Sequence, residues 1–315
     1  MILLIFGLLV FSILAYFKIA DNYNIIDKPN DRSSHKYITL RGGGIIFYIG
    51  ALLYFLFYGF SYPLFALGLT LIAIISFLDD IKTVNSKVRI LVHFSAMLLM
   101  FYDCGLYSLP WYFILTALIV STGIINAYNF MDGINGITGG YSLVIMASFW
   151  YINNIIIFFI DNNLIYVISL SLLVFNFFNF RKKAKCFAGD VGSVSIAFII
   201  VFLLGKLIVQ TQDLTYIIIL LVYGVDSILT IIHRIILKEN IFIAHRKHLY
   251  QIMSNELHVP HIYVSMLYMT IQILIMVGYF AFQSYSVWYI FVSASVLAIL
   301  YSLFMRKYFR LHSIR

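Results

Sequence analysis

The chain has 315 residues, of which 63% are hydrophobic and 11% charged, and its formal net charge is +8. Ordinary soluble domains carry about 25% charged residues, so this composition excludes a soluble protein. Apolar runs of about 20 residues recur from end to end, and each can cross a hydrocarbon core of about 30 Å. The sequence therefore predicts an all-α integral membrane protein, a polytopic bundle of about 10–11 transmembrane helices in a single domain over residues 1–315.

The apolar runs predict a continuous series of spans that no soluble domain or internal repeat interrupts. The first run lacks the basic segment and the cleavage site of a signal peptide, so we interpret it as a membrane helix. We expect no disulfide, because Cys104 and Cys186 fall on opposite sides of the membrane in this series. The predicted spans are 2–20, 44–60, 64–78, 89–103, 111–128, 141–160, 164–180, 193–209, 214–236, 262–281 and 287–305.

The basic residues predict how the bundle is oriented. All but two of the 21 Lys and Arg residues, Lys18 and Lys206, lie in alternate loops or in the C-terminal tail. By the positive-inside rule those segments are cytoplasmic, which places the N-terminus outside and the C-terminus inside. This distribution accounts for the positive charge without a nucleic-acid partner. It predicts a multi-pass membrane protein with its polar groups on the cytoplasmic face.

The third predicted span ends in two adjacent carboxylates, Asp79 and Asp80, with Arg89 at the start of the next span. Adjacent side chains on a helix point about 100° apart, so the two acids need not serve the same partner. One could hold a metal ion or take a proton while the other organises its neighbours. The alternative is a polar helix end that pairs with a nearby lysine.

Residues 126–140 connect two apolar runs with amides, one carboxylate and four glycines. Asn126 and Asn129 are three residues apart and share one face of a helix. Asp132 and Asn135 follow among glycines, which let the backbone turn and approach a ligand closely. An ordinary solvated loop would contain Ser, Lys and Glu, and this stretch has none of them. We therefore predict a functional site here.

Two further motifs add an acid and a basic cluster. Asp190 lies between glycines just before the eighth span, where it could bind Mg²⁺ and phosphate or merely cap a helix. Residues 245–248 (His-Arg-Lys-His) predict a cationic clamp for phosphates, with a plain basic loop as the alternative. Zinc is disfavoured because no cysteine or third close histidine accompanies them.

Weaker signals lie elsewhere in the chain. The segment 27–44 contains His35, and Arg41 directly before three glycines, and it could bind an anionic lipid head group. Asp226 and Arg234 in the ninth span need partners at membrane depth, either for function or as a structural ion pair. His93, in the fourth span, is interpreted as a buried histidine.

Taken in order from Asp27 to Gln251, these motifs resemble the polyprenyl-phosphate sugar-1-phosphate transferases, which make up glycosyltransferase family 4. That family includes the transferases that initiate O-antigen and common-antigen synthesis and the phospho-MurNAc-pentapeptide translocase. The sequence of residues 239–251 resembles the O-antigen-initiating branch more than the peptidoglycan enzyme.

The resemblance implies transfer of an N-acetylhexosamine-1-phosphate from a UDP-sugar to undecaprenyl phosphate, with UMP as the second product. The implied cofactor is Mg²⁺, for which Mn²⁺ could substitute, and the product would initiate a lipid-linked polysaccharide such as O-antigen, capsule or teichoic acid. A homodimer is compatible with the family. The implied catalytic residues are Asp79, Asp80, Asp190, His245 and His248; the implied metal ligands are Asp190 and Asp80; and the implied substrate-binding residues are Asn126, Asn129, Asp132, Asn135, Arg246, Lys247, His35 and Arg89.

The sequence departs from the family at two points. Asn135 stands where the family commonly has a second acid, and residues 245–248 hold two histidines where the family often has three. The transferred sugar, the polymer and the choice between direct and two-step transfer stay open. A secondary transporter of an anionic solute is the alternative from another class, although transporters usually show paired repeats and charges at the membrane midplane.

Overall fold

The computed structural model describes residues 1–29, 34, 37–240 and 245–308, and within them the chain is an all-helical bundle. Eleven long helices each coincide with one of the predicted spans, which confirms the all-α polytopic architecture. The helices are α1 Ile2–Asn22, α2 Ile45–Tyr58, α3 Pro63–Ile81, α4 Ser86–Cys104, α5 Trp111–Met131, α6 Ile137–Tyr151, α7 Asn162–Asn179, α8 Gly189–Thr211, α9 Leu221–Ile236, the short α10 Leu249–Gln251, α11 His261–Ala281 and α12 Ser286–Tyr308.

Length and composition allow most of these helices to cross a membrane. Among the described residues, eight helices are long and apolar enough, one of them formed by α9 together with the 3₁₀ turn Leu214–Leu220 that precedes it. α2 is apolar but shorter. α1 and α12 are largely exposed, as expected for helices that face lipid at the edge of a bundle. The protein is a multi-pass membrane protein.

The helix α8 lies at the centre of the bundle. It is apolar on all sides and almost wholly buried, which is the pattern of a helix surrounded by other helices. It packs against α2, α3, α4 and α5. Phe65 of α3 stacks on Phe202 of α8 with ring centroids 3.9 Å apart, which fixes the two helices side by side. Whatever precedes α8 is therefore held close to the ends of α3 and α5.

A small hairpin joins the segment before α2 to the start of α8. Strand β1 (Ile26–Asp27) pairs antiparallel with β2 (Thr39–Leu40). Leu40 also bridges to Cys186, and the Gly43 N–H donates to the Phe187 carbonyl at 2.8 Å. These backbone bonds place Arg41, which follows β2, beside the first turn of α8.

Candidate active site

Asp80, at the end of α3, organises the first turn of α8. Its buried carboxylate accepts hydrogen bonds from the backbone N–H groups of Asp190 (2.9 Å) and Val191 (3.0 Å). An anion at a helix N-terminus is favourable because the free N–H groups of the first turn point toward it. Gly189 lies so close that a Cβ there would come within 2.5 Å of the Asp80 carboxylate, and its φ of +70° also favours glycine.

Arg41 lies between two carboxylates at the centre of this cluster. Its Nε is 2.7 Å from Asp80 Oδ1, and its second terminal nitrogen is 3.3 Å from Asp190 Oδ1. Tyr16 of α1 donates to the Arg41 carbonyl at 2.6 Å and helps fix the backbone. From sequence, Arg41 was predicted only weakly, as a residue that could bind an anionic head group. The available signal was its position directly before the glycines at 42–44, which pack against α8.

Asp79 faces another direction from Asp80, toward the start of α4. Its carboxylate accepts from the Val84 N–H at 2.6 Å and from Arg89 at 2.7 Å. Arg89 also lies 3.9 Å from Asp190 Oδ2. The Asp79 and Asp190 carboxyl groups are within hydrogen-bonding reach of each other. The structure thus brings Asp79, Asp80, Asp190 and Arg89 together, as predicted for the site.

The end of α5 links the carboxylates to the histidine loop. Asn129 accepts a hydrogen bond from Ser193 of α8 at 2.8 Å, and the Phe130 carbonyl accepts one from Tyr250 at 2.7 Å. Asp132 follows directly after the helix. Burial raises the pKa of Asp132 to about 6, and the nearby negative charge of Asp80 adds to this rise. The turn at residues 132–136 therefore lies between both groups of predicted residues.

The histidine loop packs on Phe130. The rings of His245 and His248 lie 6.3 and 6.2 Å from the Phe130 ring and 5.0 Å from each other. Burial lowers the pKa of His245 to about 3, with contributions from His248 and Arg234, so this imidazole is neutral at physiological pH. At this end of the loop the positive charge therefore comes from Arg246 and Lys247 rather than from the imidazole of His245.

Both basic residues of the loop contact acids nearby. Lys247 forms an ion pair with Glu239, which also lies 3.2 Å from Arg234 of α9. Arg246 lies 3.5 Å from Glu256. These exposed or half-exposed pairs are weak. The two ion pairs hold the loop in place, and a phosphate could replace the acid in either pair.

Asn135 binds the protein rather than facing open space. Its side chain is 5% exposed, and its amide nitrogen donates to the carbonyls of Arg181 (2.8 Å) and Lys182 (3.3 Å). Its own carbonyl accepts from Ser265 of α11 at 2.8 Å. Asn135 thus ties the 132–136 turn to the basic loop at 181–185 and to α11, and its role in substrate binding stays a prediction.

The structure does not connect the last two predicted residues with the cluster. Asn126 is exposed on α5, one turn before Asn129, and its contact with substrate stays a prediction. His35 lies outside the described residues. Ser193, Tyr250 and Glu239 join the site although the sequence did not predict them. Ser193 and Tyr250 contact residues that are distant in the chain, which spacing alone does not reveal. Glu239 instead contacts Arg234 and Lys247, which are near it in the sequence.

The donor set at Asp79 and Asp190 fits a divalent cation of the Mg²⁺ type. Within the described residues, no three His, Cys, Asp or Glu side chains form a complete metal cage. Two carboxyl groups in contact repel each other unless they share a proton or a cation. Mg²⁺ binds one or two carboxylates and completes its shell with water and phosphate oxygens. Asp80, whose oxygens already accept backbone N–H groups, is less open to a metal ion, and its role as a ligand stays a prediction.

Comparison with known proteins shows which family this chain is similar to. The model of glycosyl transferase family 4 matches residues 62–208, which include the carboxylates of α3, the turn after α5 and the start of α8. This part of the chain is therefore similar to glycosyl transferase family 4. The matched region covers the carboxylate half of the site, and the histidine loop lies beyond it.

Three relatives illustrate the range of similar proteins in the family. A protein of Bacillus subtilis, a probable undecaprenyl-phosphate N-acetylglucosaminyl 1-phosphate transferase, is 27% identical over 260 residues, 74% of this chain and 70% of its own length. The undecaprenyl-phosphate alpha-N-acetylglucosaminyl 1-phosphate transferase of Yersinia pestis is 29% identical over 59% of this chain and 56% of its own length. The phospho-N-acetylmuramoyl-pentapeptide-transferase of Thermotoga maritima is 27% identical over 67% of this chain and 75% of its own.

Proposed function

We propose that this protein is a member of glycosyl transferase family 4 and transfers an N-acetylhexosamine-1-phosphate from a UDP-sugar to undecaprenyl phosphate. The convergence of Asp79, Asp190, Arg41 and Arg89 at one membrane face carries the proposal. A lipid phosphate and a water-soluble nucleotide can meet only at such a face. The activities in the names of the relatives support the same class of reaction.

The reaction balances as a phosphoryl transfer. An oxygen of the lipid phosphate attacks the phosphorus that carries the sugar, and the bond between the two phosphates of the UDP-sugar breaks. UMP leaves, and undecaprenyl-diphospho-sugar remains in the membrane. In such transfers, positioning of the reactants and neutralisation of charge supply most of the catalysis.

The side chains of the site suit separate parts of this task. Asp79, oriented by Arg89 and the Val84 N–H, can take the proton of the lipid phosphate. Asp190, with Asp79 beside it, would hold Mg²⁺, which when bound neutralises phosphate charge. Arg41 and Arg89 supply fixed positive charge at the same place.

The histidine loop and the end of α5 suit the nucleotide part of the donor. Asn129 and Asp132 can line the nucleotide-sugar site, and the cations at 246 and 247 can meet the diphosphate. We further propose that the site faces the cytoplasm of a bacterial cell, where UDP-sugars are available. The product would then initiate a lipid-linked polysaccharide of the cell envelope.

The test is release of UMP by purified protein that is given undecaprenyl phosphate and a panel of UDP-N-acetylhexosamines. Asp190→Asn should lower Mg²⁺-dependent release by about 100-fold or more, because it removes a carboxylate ligand of the cation that would neutralise the reacting phosphates. Asp103→Asn is the matched control. Asp103 accepts a backbone hydrogen bond at the opposite end of α3 (2.7 Å) and should leave turnover unchanged.

Two results would overturn this proposal. Unchanged turnover of Asp190→Asn would remove the metal assignment. If no donor yields a lipid product while sealed vesicles accumulate an anionic solute, the protein is a transporter instead.

A further inference from the structure

The helix α9 carries a buried carboxylate, Asp226, to which the proposed reaction assigns no role. Asp226 is 4% exposed. Its Oδ1 accepts hydrogen bonds from the Leu249 N–H (3.0 Å) and from Thr230 (3.1 Å), and its Oδ2 accepts one from Tyr268 (2.7 Å). A buried carboxylate is costly unless donors surround it, so this arrangement is built rather than incidental.

The same carboxylate faces a histidine of the loop. Asp226 Oδ1 lies 3.5 Å from His248 Nδ1, and His248 is 1% exposed at the start of α10. The ring of His248 packs between Phe130 of α5 and Tyr250. Both ring nitrogens are buried and neither meets hydrogen-bond geometry among the described residues, so Nδ1 has Asp226 beside it at ion-pair distance and Nε2 has no partner there. An unpaired buried nitrogen is unfavourable unless a ligand meets it.

We propose that Asp226 is a positioning residue: its carboxylate accepts a hydrogen bond from Nδ1–H of His248 and so orients Nε2 toward the substrate phosphates. This inference rests on the proposed function. A carboxylate that binds one imidazole nitrogen sets the tautomer and the orientation of the ring, and it leaves the other nitrogen to face the ligand, as in catalytic triads. Asp226 does this from the far side of the loop, without touching the substrate.

A second contact from α9 holds the other part of the loop. Arg234 lies eight residues after Asp226, about 12 Å along the helix, so the two residues cannot pair directly. Arg234 instead binds Glu239 at 3.2 Å and the Asn240 carbonyl at 2.6 Å. Glu239 in turn pairs with Lys247. α9 therefore supports the loop at two points, and the Asp226 contact reaches the imidazole of His248.

The decisive variant is Asp226→Asn, which keeps an acceptor oxygen but removes the charge beside His248. We expect kcat/KM to fall about 10- to 100-fold, the range found when an outer partner of a functional histidine is removed. Tyr268→Phe removes a hydrogen bond from the other oxygen of the same carboxylate. As the matched control, it should stay within about threefold of wild type.

A double-mutant cycle separates positioning from simple loss of structure. In a His248→Gln background, Asp226→Asn should have less than about a twofold further effect, because the residue through which it acts is gone. An equal loss in both backgrounds, or wild-type activity of Asp226→Asn, would overturn the proposal. The dissociation constant of UMP, measured for the same four proteins, gives the same comparison if turnover falls below detection.

Nitrogen-15 spectra of histidine-labelled protein test the contact without any turnover. His248 should carry a proton on Nδ1 in wild type, and its signal should shift in Asp226→Asn but not in Tyr268→Phe. An unprotonated Nδ1 in wild type would contradict the proposal even if the variants fail to fold. Lack of lipid product from wild type with every donor would instead refute the transferase function and leave this contact standing.

Discussion

Neighbouring carboxylates in this site have different partners because the helix turns between them. Asp80 points at the first turn of α8, where two N–H groups and Arg41 surround it. Asp79 points toward α4 and meets Arg89. Adjacent side chains on a helix point about 100° apart, so different partners for Asp79 and Asp80 could be expected from the sequence. Which acid faces which helix depends on how α3 packs against α8, and local sequence does not encode that.

The carboxyl group of Asp132 makes stability depend on pH. Burial raises its pKa to about 6 in the folded protein, from about 3.9 in an unfolded chain. The folded state thus favours the protonated form, and this advantage is lost as pH rises through about 6. Above that pH the ionised group costs the fold up to about 3 kcal/mol, at 1.36 kcal/mol for each pKa unit.

Asp132→Asn cannot ionise, so it should be more stable than wild type at pH 8 and closer to wild type at pH 5. Thermal unfolding of both proteins in detergent at the two pH values measures the difference. A gap that stays constant between pH 5 and pH 8 would contradict the shifted pKa. A buried acid that weakens its own fold is typical of functional sites.

The sequence predicted the types of residue in the site better than their contacts. The stretch at 126–140 was predicted as functional, and Asn129 and Asp132 indeed lie beside the cluster. Asn135 was predicted to meet substrate, yet its amide binds backbone carbonyls at residues 181 and 182. A side-chain amide can bind either a ligand or the protein, and only the folded neighbours decide between them.

At the scale of whole elements, the bilayer made the helices predictable. Every backbone polar group must be satisfied within lipid, so each apolar run of sufficient length forms a helix. The contacts between helices were not predictable in this way, because lipid-facing and protein-facing sides are equally apolar. Small residues are the exception, since they allow backbones to approach closely.

Gly192 of α8 is such a contact point and supports a prediction. A Cβ on Gly192 would come within 2.6 Å of the Gly44 Cα at the start of α2. Gly192→Ala should therefore push the two helices apart, lower stability by about 1–3 kcal/mol and misplace Arg41 relative to Asp190. Thermal unfolding and UMP release measure both effects.

Gly123 provides the control for this substitution. It lies inside α5, and a Cβ there would meet no atom within 4 Å. Gly123→Ala should be neutral or stabilise the protein by up to about 1 kcal/mol, because alanine is the better helix former. Equal behaviour of the two variants would exclude close packing as the reason for glycine at position 192.

At the scale of the whole molecule, the site is an assembly of helix ends from distant parts of the chain. The ends of α3 and α5, the starts of α4 and α8, and the loop before α10 meet at one face. The sequence predicted this convergence only through the charge pattern, which assigned those ends to a common side. Alternation of helix direction then required that these ends lie together, but left their distances open.

The same charge pattern predicts which side of the membrane the site faces, and labelling can test it. Lys183 lies in the exposed basic loop between α7 and α8, on the site face, whereas the exposed Ser61 joins α2 to α3 on the opposite face. The natural thiols Cys104 and Cys186 are buried, so wild-type protein should react little with a membrane-impermeant maleimide. In right-side-out vesicles Ser61→Cys should be labelled and Lys183→Cys protected, and inverted vesicles should reverse the result, because basic loops stay in the cytoplasm. The opposite pattern would place the carboxylate cluster outside the cell, away from any supply of UDP-sugar, and would refute the proposed reaction together with the topology.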